Sequence, residues 1–163
     1  MRDNATNTES VLDELSKAAS GDASDSHEPG GTDRTTDDVE RELESLLEHV
    51  AETLPVEDVT LDERLVKENL DELLLVLIAM HEGTHGDELL TTIERAFETR
   101  LSPGTVYPRL HDLEEADVLS MHAKVRTKEY SIDDPEYVQD RLEETMIQHL
   151  AFGMLLYALH HRL

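Results

Sequence analysis

From Thr35 onward apolar residues recur at helical spacing: Val39, Leu43, Leu46, Leu47, Val50 and Leu54 fall on one stripe. Pro55 then stops that predicted helix. The stretch before it, through "SGDASDSHEPGGTDRTTDD", shows no apolar period, and "VLDELSKAA" forms at most a transient helix. Thr60 opens the next helix, with Glu63 three residues on at the spacing of a capping box. That helix runs through "DELLLVLIAM", apolar on nearly every side, which places it in the middle of the core, and Gly83 ends it. "DELLTTIERAFETR" follows as a short amphipathic helix with Leu89, Leu90, Ile93 and Phe97 inward. Ser102 as N-cap and Pro103 at the first helical position start a third helix, whose inner stripe is Val106, Leu110 and Leu113. In "SMHAKVRTKEYSI" apolar and polar residues alternate around a basic centre, and "EYSI" pairs back on "VLSMH" as a β-hairpin. A last helix starts at the Asp-Pro of "DDPEYV" and repeats Val138, Leu142, Met146, Leu150 and Met154 every four residues.

Helix, helix, helix, hairpin is the element order of a winged helix-turn-helix, whose third helix enters the major groove of DNA. The predicted fold is therefore mainly α with a small β-hairpin wing, flanked by N- and C-terminal helices. Four segments follow: an acidic disordered tail (1–34), an N-terminal helix and linker (35–59), the winged helix-turn-helix (60–132) and a C-terminal helix (133–163). Beyond Leu150 the last helix is apolar all round, so it needs two partners. One is its own domain and the other is the same helix of a second subunit. The expected homodimer interface is Val138, Leu142, Met146, Leu150, Met154 and Tyr157, and the stripe of the 36–54 helix is expected to pack onto this bundle.

Charge narrows the setting. The chain of 163 residues carries 38 Asp+Glu against 14 Lys+Arg, a net charge of −24. The acids run through amphipathic patterns such as "VERELESLLEHV" and are not gathered in one block, which favours a folded protein of a halophilic, haloarchaeal-type cytoplasm over a disordered acidic chain. There are no cysteines, so disulfides and thiolate zinc sites are excluded. "MRDNATNTES" lacks the apolar core of a secretory signal. The longest apolar run, "LAFGMLLYAL", is about half the ~20 residues that span a bilayer. A soluble, cytoplasmic protein is expected.

His81-Glu82-Gly83-Thr84-His85 spells the H-E-x-x-H of zinc peptidases. That motif needs both His one turn apart on a continuous helix. Gly83 between them and Gly86 after them signal a break between two helices, and no third ligand stands at the usual distances. The string reads as coincidental, and His149, His160 and His161 read as surface or interface residues. No metal, no cofactor and no enzymatic activity are expected.

Candidate chemistry lies instead between Thr84 and Tyr130. Six Lys+Arg (Arg95, Arg100, Arg109, Lys124, Arg126, Lys128) stand there against nine acids, a net of −3 that leaves −21 for the remainder. The basic residues gather on the third helix and wing, where phosphates would lie. Gly104 permits close approach of backbone to phosphate, and the helix start at Ser102–Thr105 presents N–H groups to an anion. Pro108 removes one intrahelical bond and predicts a kink. The candidate DNA-binding residues are Ser102, Gly104, Thr105, Tyr107, Pro108, Arg109, Lys124, Arg126 and Lys128. Plainer readings stay open: Arg109 as a solvated face residue, Tyr107 as core with its hydroxyl at the surface, "KVRTK" as an ordinary charged turn.

"GTHGDELLTTIERAFETRLSPGTVYPRLHDLEEADVL" resembles the PadR family of transcriptional regulators. The matching positions are His85-Gly86, Ser102-Pro103-Gly104-Thr105-Val106-Tyr107-Pro108, Leu110, Leu113-Glu114 and Tyr130, within a resemblance over about Leu70 to Ile132. Asp117 stands where the family has Gly before the wing, and the wing's basic cluster is thin. The resemblance implies dimeric repressors with a C-terminal helical dimerisation element. The function expected is a sequence-specific DNA-binding transcriptional regulator, a repressor, that meets double-stranded DNA as a homodimer on a pseudo-palindromic operator. The alternative is a winged-helix protein-interaction module without DNA binding. No small-molecule effector is named by the sequence.

Overall fold

The computed structural model describes residues 34–54 and 59–162. The predicted tail, Arg34 apart, and the Pro55 stop lie outside the described residues. The element order is α1 (Thr36–Thr53), α2 (Glu63–Glu68), α3 (Leu70–His81), β1 (Thr84–His85), α4 (Gly86–Phe97), α5 (Pro103–Glu115), β2 (Leu119–Ala123), β3 (Lys128–Ile132) and α6 (Pro135–His160).

α1 begins where its apolar stripe begins because Thr35 and Asp38 close a capping box. The Thr35 hydroxyl accepts from the Asp38 amide, and the Asp38 carboxylate accepts from the Thr35 amide at 3.2 Å. The expected single helix from Thr60 to the Gly83 turn is two helices. Asp62, not Thr60, caps α2, its carboxylate accepting from the Arg64 amide at 2.8 Å. At Asn69 the backbone leaves the helical region (φ −111°, ψ 31°), and the side-chain amide donates to the Leu65 carbonyl at 2.9 Å. The Leu65 carbonyl also accepts from the Asn69 backbone amide at 3.1 Å, so the interruption is a single residue wide.

α3 is the centre of the core, as its pattern predicts: Leu74, Leu75, Leu77 and Ile78 are fully buried. Val39 of α1, Val66 of α2, Leu89 and Ile93 of α4, and Val106 and Leu110 of α5 close around it. α3 stops because Glu82 takes a left-handed conformation (φ 58°) and Gly83 follows at φ 125°. The stripe of α1 packs chiefly on α4 and then α3, not on the C-terminal helix as expected. Its buried residues, Val39 and Leu43, lie in its first half, and Arg95 of α4 pairs with Glu40 at 3.2 Å.

The wing is a three-stranded antiparallel sheet of order β1-β3-β2. β2 and β3 form the expected hairpin, with Leu119 opposite Ile132 and Met121 opposite Tyr130. β1 adds an unforeseen edge, Thr84 opposite Tyr130 and His85 opposite Glu129. Asp117 turns the chain from α5 into the wing at φ 58°, doing the work of the glycine usual there. α6 is a continuous helix capped by Asp134. Val138 is buried and Leu142 partly so, and α6 packs on α3. Farther along, Met146, Phe152, Met154, Leu155, Leu156, Tyr157 and Leu159 are exposed. Among the described residues no helix is long and apolar enough to cross a membrane.

Candidate nucleic-acid interface

α5 buries one face, Val106, Leu110 and Leu113, and turns the other outward. Its start is open. The Ser102 hydroxyl bonds the Thr105 hydroxyl at 3.0 Å and no side chain caps the first amides. Ser102, Gly104, Thr105 and Pro108 are all exposed there. Pro103 has no N–H, and the Thr105 and Val106 amides donate to the Ser102 carbonyl at 2.9 and 3.3 Å, which leaves the Gly104 N–H to water or an anion.

Tyr107 has a different place. A Cβ added to Gly86 would lie 2.6 Å from the Tyr107 ring, so the start of α4 and the ring are in direct apposition. The phenol donates to Asp87 at 3.3 Å. Burial first, then the Asp87 charge, holds its pKa above the usual value. Tyr107 joins α4 to α5, and its hydroxyl lies at the edge of the surface.

Arg109 sits on the flank of α5, half-exposed, with its guanidinium 3.3 Å from Asp71 of α3. Burial pushes the Asp71 carboxyl up, although Arg109 pulls the other way. The second Asp71 oxygen is buried with no hydrogen-bond partner. In the wing, Lys124 forms an ion pair with Glu129, and that hydrogen bond holds the Glu129 carboxyl below its ordinary range. Arg126 and Lys128 are exposed on the turn, beside a fully exposed Val125.

These parts meet at a cleft of about 390 Å³. His85, Gly86, Asp87 and Tyr107 form one wall and the turn from Ala123 to Lys128 the other. Tyr107 and the three wing cations are thus brought to one place, with the α5 start on the same helix as Tyr107. Arg109 is held apart from the cleft by Asp71. Sequence reasoning missed Asp71, Asp87 and Glu129, the carboxylates that engage Arg109, Tyr107 and Lys124. It also missed His85 as a lining residue, whose Nδ1 lies 3.2 Å from the Lys128 carbonyl. Only Glu88 left a local signal, three residues after His85, where it accepts from the His85 amide at 3.1 Å.

The H-E-x-x-H string is divided between elements. His81 closes α3 and is buried; His85 precedes α4 across the Glu82–Gly83 turn. The two imidazoles do not share a helix face, which removes the geometry that the peptidase motif needs.

Fold and site together define a winged helix-turn-helix, with an open helix start and a basic hairpin turn beside it. Residues 74–135 match the family described as the transcriptional regulator PadR-like family, to which this segment is similar. The chain is 43% identical over 100 residues to the transcriptional activator GvpE of Haloferax mediterranei, covering 61% of this chain and 52% of that one. It is 40% identical over 99 residues to the transcriptional activator GvpE1 of Halobacterium salinarum, with the same coverage of 61% and 52%. The chain spans about half the length of the curated relatives it matches. Both relatives are haloarchaeal, in accord with the acid excess, and neither their names nor the family description is that of an enzyme. A transcriptional regulator from Clostridium thermocellum superposes with a TM-score of 0.50 at 18% identity, over 58% of this chain and 97% of that one, and shows the same fold.

Proposed function

We propose that this protein is a DNA-binding transcriptional regulator of a halophilic cytoplasm, acting as a homodimer on a pseudo-palindromic operator. One observation carries the reading: Tyr107, on the helix whose start no side chain caps, shares a cleft with the wing segment that bears Lys124, Arg126 and Lys128. In a winged helix the first residues of the recognition helix meet base edges and the wing meets the backbone. Gly104 and Thr105 approach the duplex, Pro108 extends the same face, and Lys124, Arg126 and Lys128 bind phosphate. Tyr107 acts by fixing α5 against α4. Arg109 reaches phosphate only by leaving Asp71. The exposed apolar residues of α6 from Met146 to Leu159 pair with the same helix of a second chain. The sign of regulation is taken from the relatives, both named activators, in place of the repression that the family resemblance implied.

A second reading, a protein-interaction winged helix, draws support from the carboxylates that engage Arg109 and Lys124. Selection from random duplex DNA at 2 M KCl separates the two. The expected result is enrichment of an inverted repeat by the wild type and none by a Lys124/Arg126/Lys128 triple alanine variant. A folded wild type that enriches no duplex would leave the interaction reading in possession.

A further inference from the structure

Asp71 and Glu72 are consecutive residues in the first turn of α3, and each grips a different element. Asp71 holds Arg109 of α5. Glu72, nine-tenths buried, accepts from Arg141 Nε at 2.8 Å and from the Thr145 hydroxyl at 3.2 Å, both on α6. Arg141 and Thr145 lie one turn apart, so a single carboxylate oxygen fastens two successive turns of that helix. The Glu72 charge, then its hydrogen bond, holds the Arg141 guanidinium above its ordinary pKa.

The position of this clamp matters more than its strength. The apolar anchors of α6 on the body are Val138 and Leu142, before or level with the clamp. Immediately after Thr145 come Met146 and Ile147, both about half exposed. Glu72 therefore holds the last side chains that tie α6 to the body before the helix projects. From Thr145 to His160 the helix extends roughly 22 Å. A tilt of about 10° at the clamp displaces the far end by roughly 4 Å, more than the ~3.4 Å rise of one base pair.

We propose that Glu72, with Arg141 and Thr145, is a positioning site that sets the angle of α6 to the winged helix, and through it the half-site spacing the dimer accepts. This rests on the dimeric DNA-binding reading above. Asp71, on the same turn, carries the setting to α5 through Arg109. A loosened clamp leaves each winged helix intact but lets the two recognition helices vary in separation.

Two measurements test it, with Glu72→Gln, Arg141→Met and the conservative Arg141→Lys. The first uses duplexes selected by the wild type, with the spacer between half-sites changed by one or two base pairs. The wild type should lose tenfold or more in affinity for a one-base-pair change. Glu72→Gln and Arg141→Met should lose less than threefold, with affinity for an isolated half-site unchanged and partial recovery in Arg141→Lys. A uniform loss at every spacing, with the optimum kept, overturns the proposal. The second needs no DNA. The chain has no cysteine, so Val125→Cys at the exposed wing tip accepts a single spin label. The label-to-label distance across the dimer should be narrow in the wild type and broad in the clamp variants. An unchanged distribution overturns the clamp whatever happens with DNA. Broadening in a protein that binds no duplex sinks the DNA reading and leaves the clamp standing. A monomer with no label-to-label distance sinks both.

Discussion

A Cβ built on Gly86 would sit 2.6 Å from the Tyr107 ring, whereas one on Gly104 meets only Ser102 Oγ at 3.7 Å. The first distance requires the ring or α4 to move; the second is ordinary contact. Gly86→Ala should therefore destabilise the fold by about 1–3 kcal/mol, the usual cost of overpacking. Gly104→Ala should leave stability equal or slightly improved, since alanine is the better helix former, and should weaken DNA binding. Urea unfolding and duplex titration of both variants check this; a Gly104→Ala protein that binds DNA normally would show that no phosphate comes close. His81 offers a second residue-scale test. Burial holds its imidazole below the ordinary range, against the pull of Glu88 and Glu40. The unfolded chain then takes up the proton first as pH falls. The stability contribution is complete above the unfolded value of about 6.5 and is lost as pH falls from there through the lower folded value. The urea midpoint of the wild type should drop across that window, and His81→Leu should flatten the drop. Identical pH profiles would contradict the assignment.

At the scale of elements, α6 divides at Thr145. Among the described residues after it, Leu150 alone is partly buried and the rest are exposed. Deleting residues 146–163 should change the stability of the body by no more than about 0.5 kcal/mol, as surface changes do. It should also convert a dimer to a monomer in sedimentation at 2 M KCl. A full-length chain that sediments as a monomer would contradict the dimer. The elements themselves were unevenly legible. Ser102-Pro103 announces the start of α5 in two residues, and the alternation around "KVRTK" announces the hairpin. β1 has only Thr84 and His85, too short for any period to register. The break at Asn69 was hidden because apolar residues keep helical spacing across it, and the backbone bonds from Asn69 to Leu65 and from Leu73 to Asn69 run through it. For the site, Gly86 was legible as part of a break between helices and Tyr107 as a residue at the edge of the core, but their apposition left no trace in the sequence. The pairing of Arg109 with Asp71 joins positions 38 residues apart and leaves no local trace.

Over the whole molecule the net charge of −24 meets a polyanion. A dimer doubles it, and long-range repulsion opposes encounter wherever salt does not screen it. At about 1 M salt the Debye length is near 3 Å, so only the Lys and Arg in contact with phosphate still sense the backbone. For an ordinary basic protein, affinity falls steeply with salt because binding releases cations from DNA. Here exposed carboxylates lie on the proposed recognition helix itself, Asp112 and Glu115, the latter 3.5 Å from His111. Cations held between those carboxylates and phosphate would be taken up on binding, offsetting the release. The most direct test of a DNA-binding edge on an acidic body is the affinity of the wild type and the Lys124/Arg126/Lys128 triple alanine variant for a selected duplex, from 0.5 to 2 M KCl. Circular dichroism at each point confirms folding. Wild-type affinity should be flat or rise with salt, and the triple variant should be at least tenfold weaker throughout. A steep fall for the folded wild type, or equal affinity of the two proteins, would contradict it.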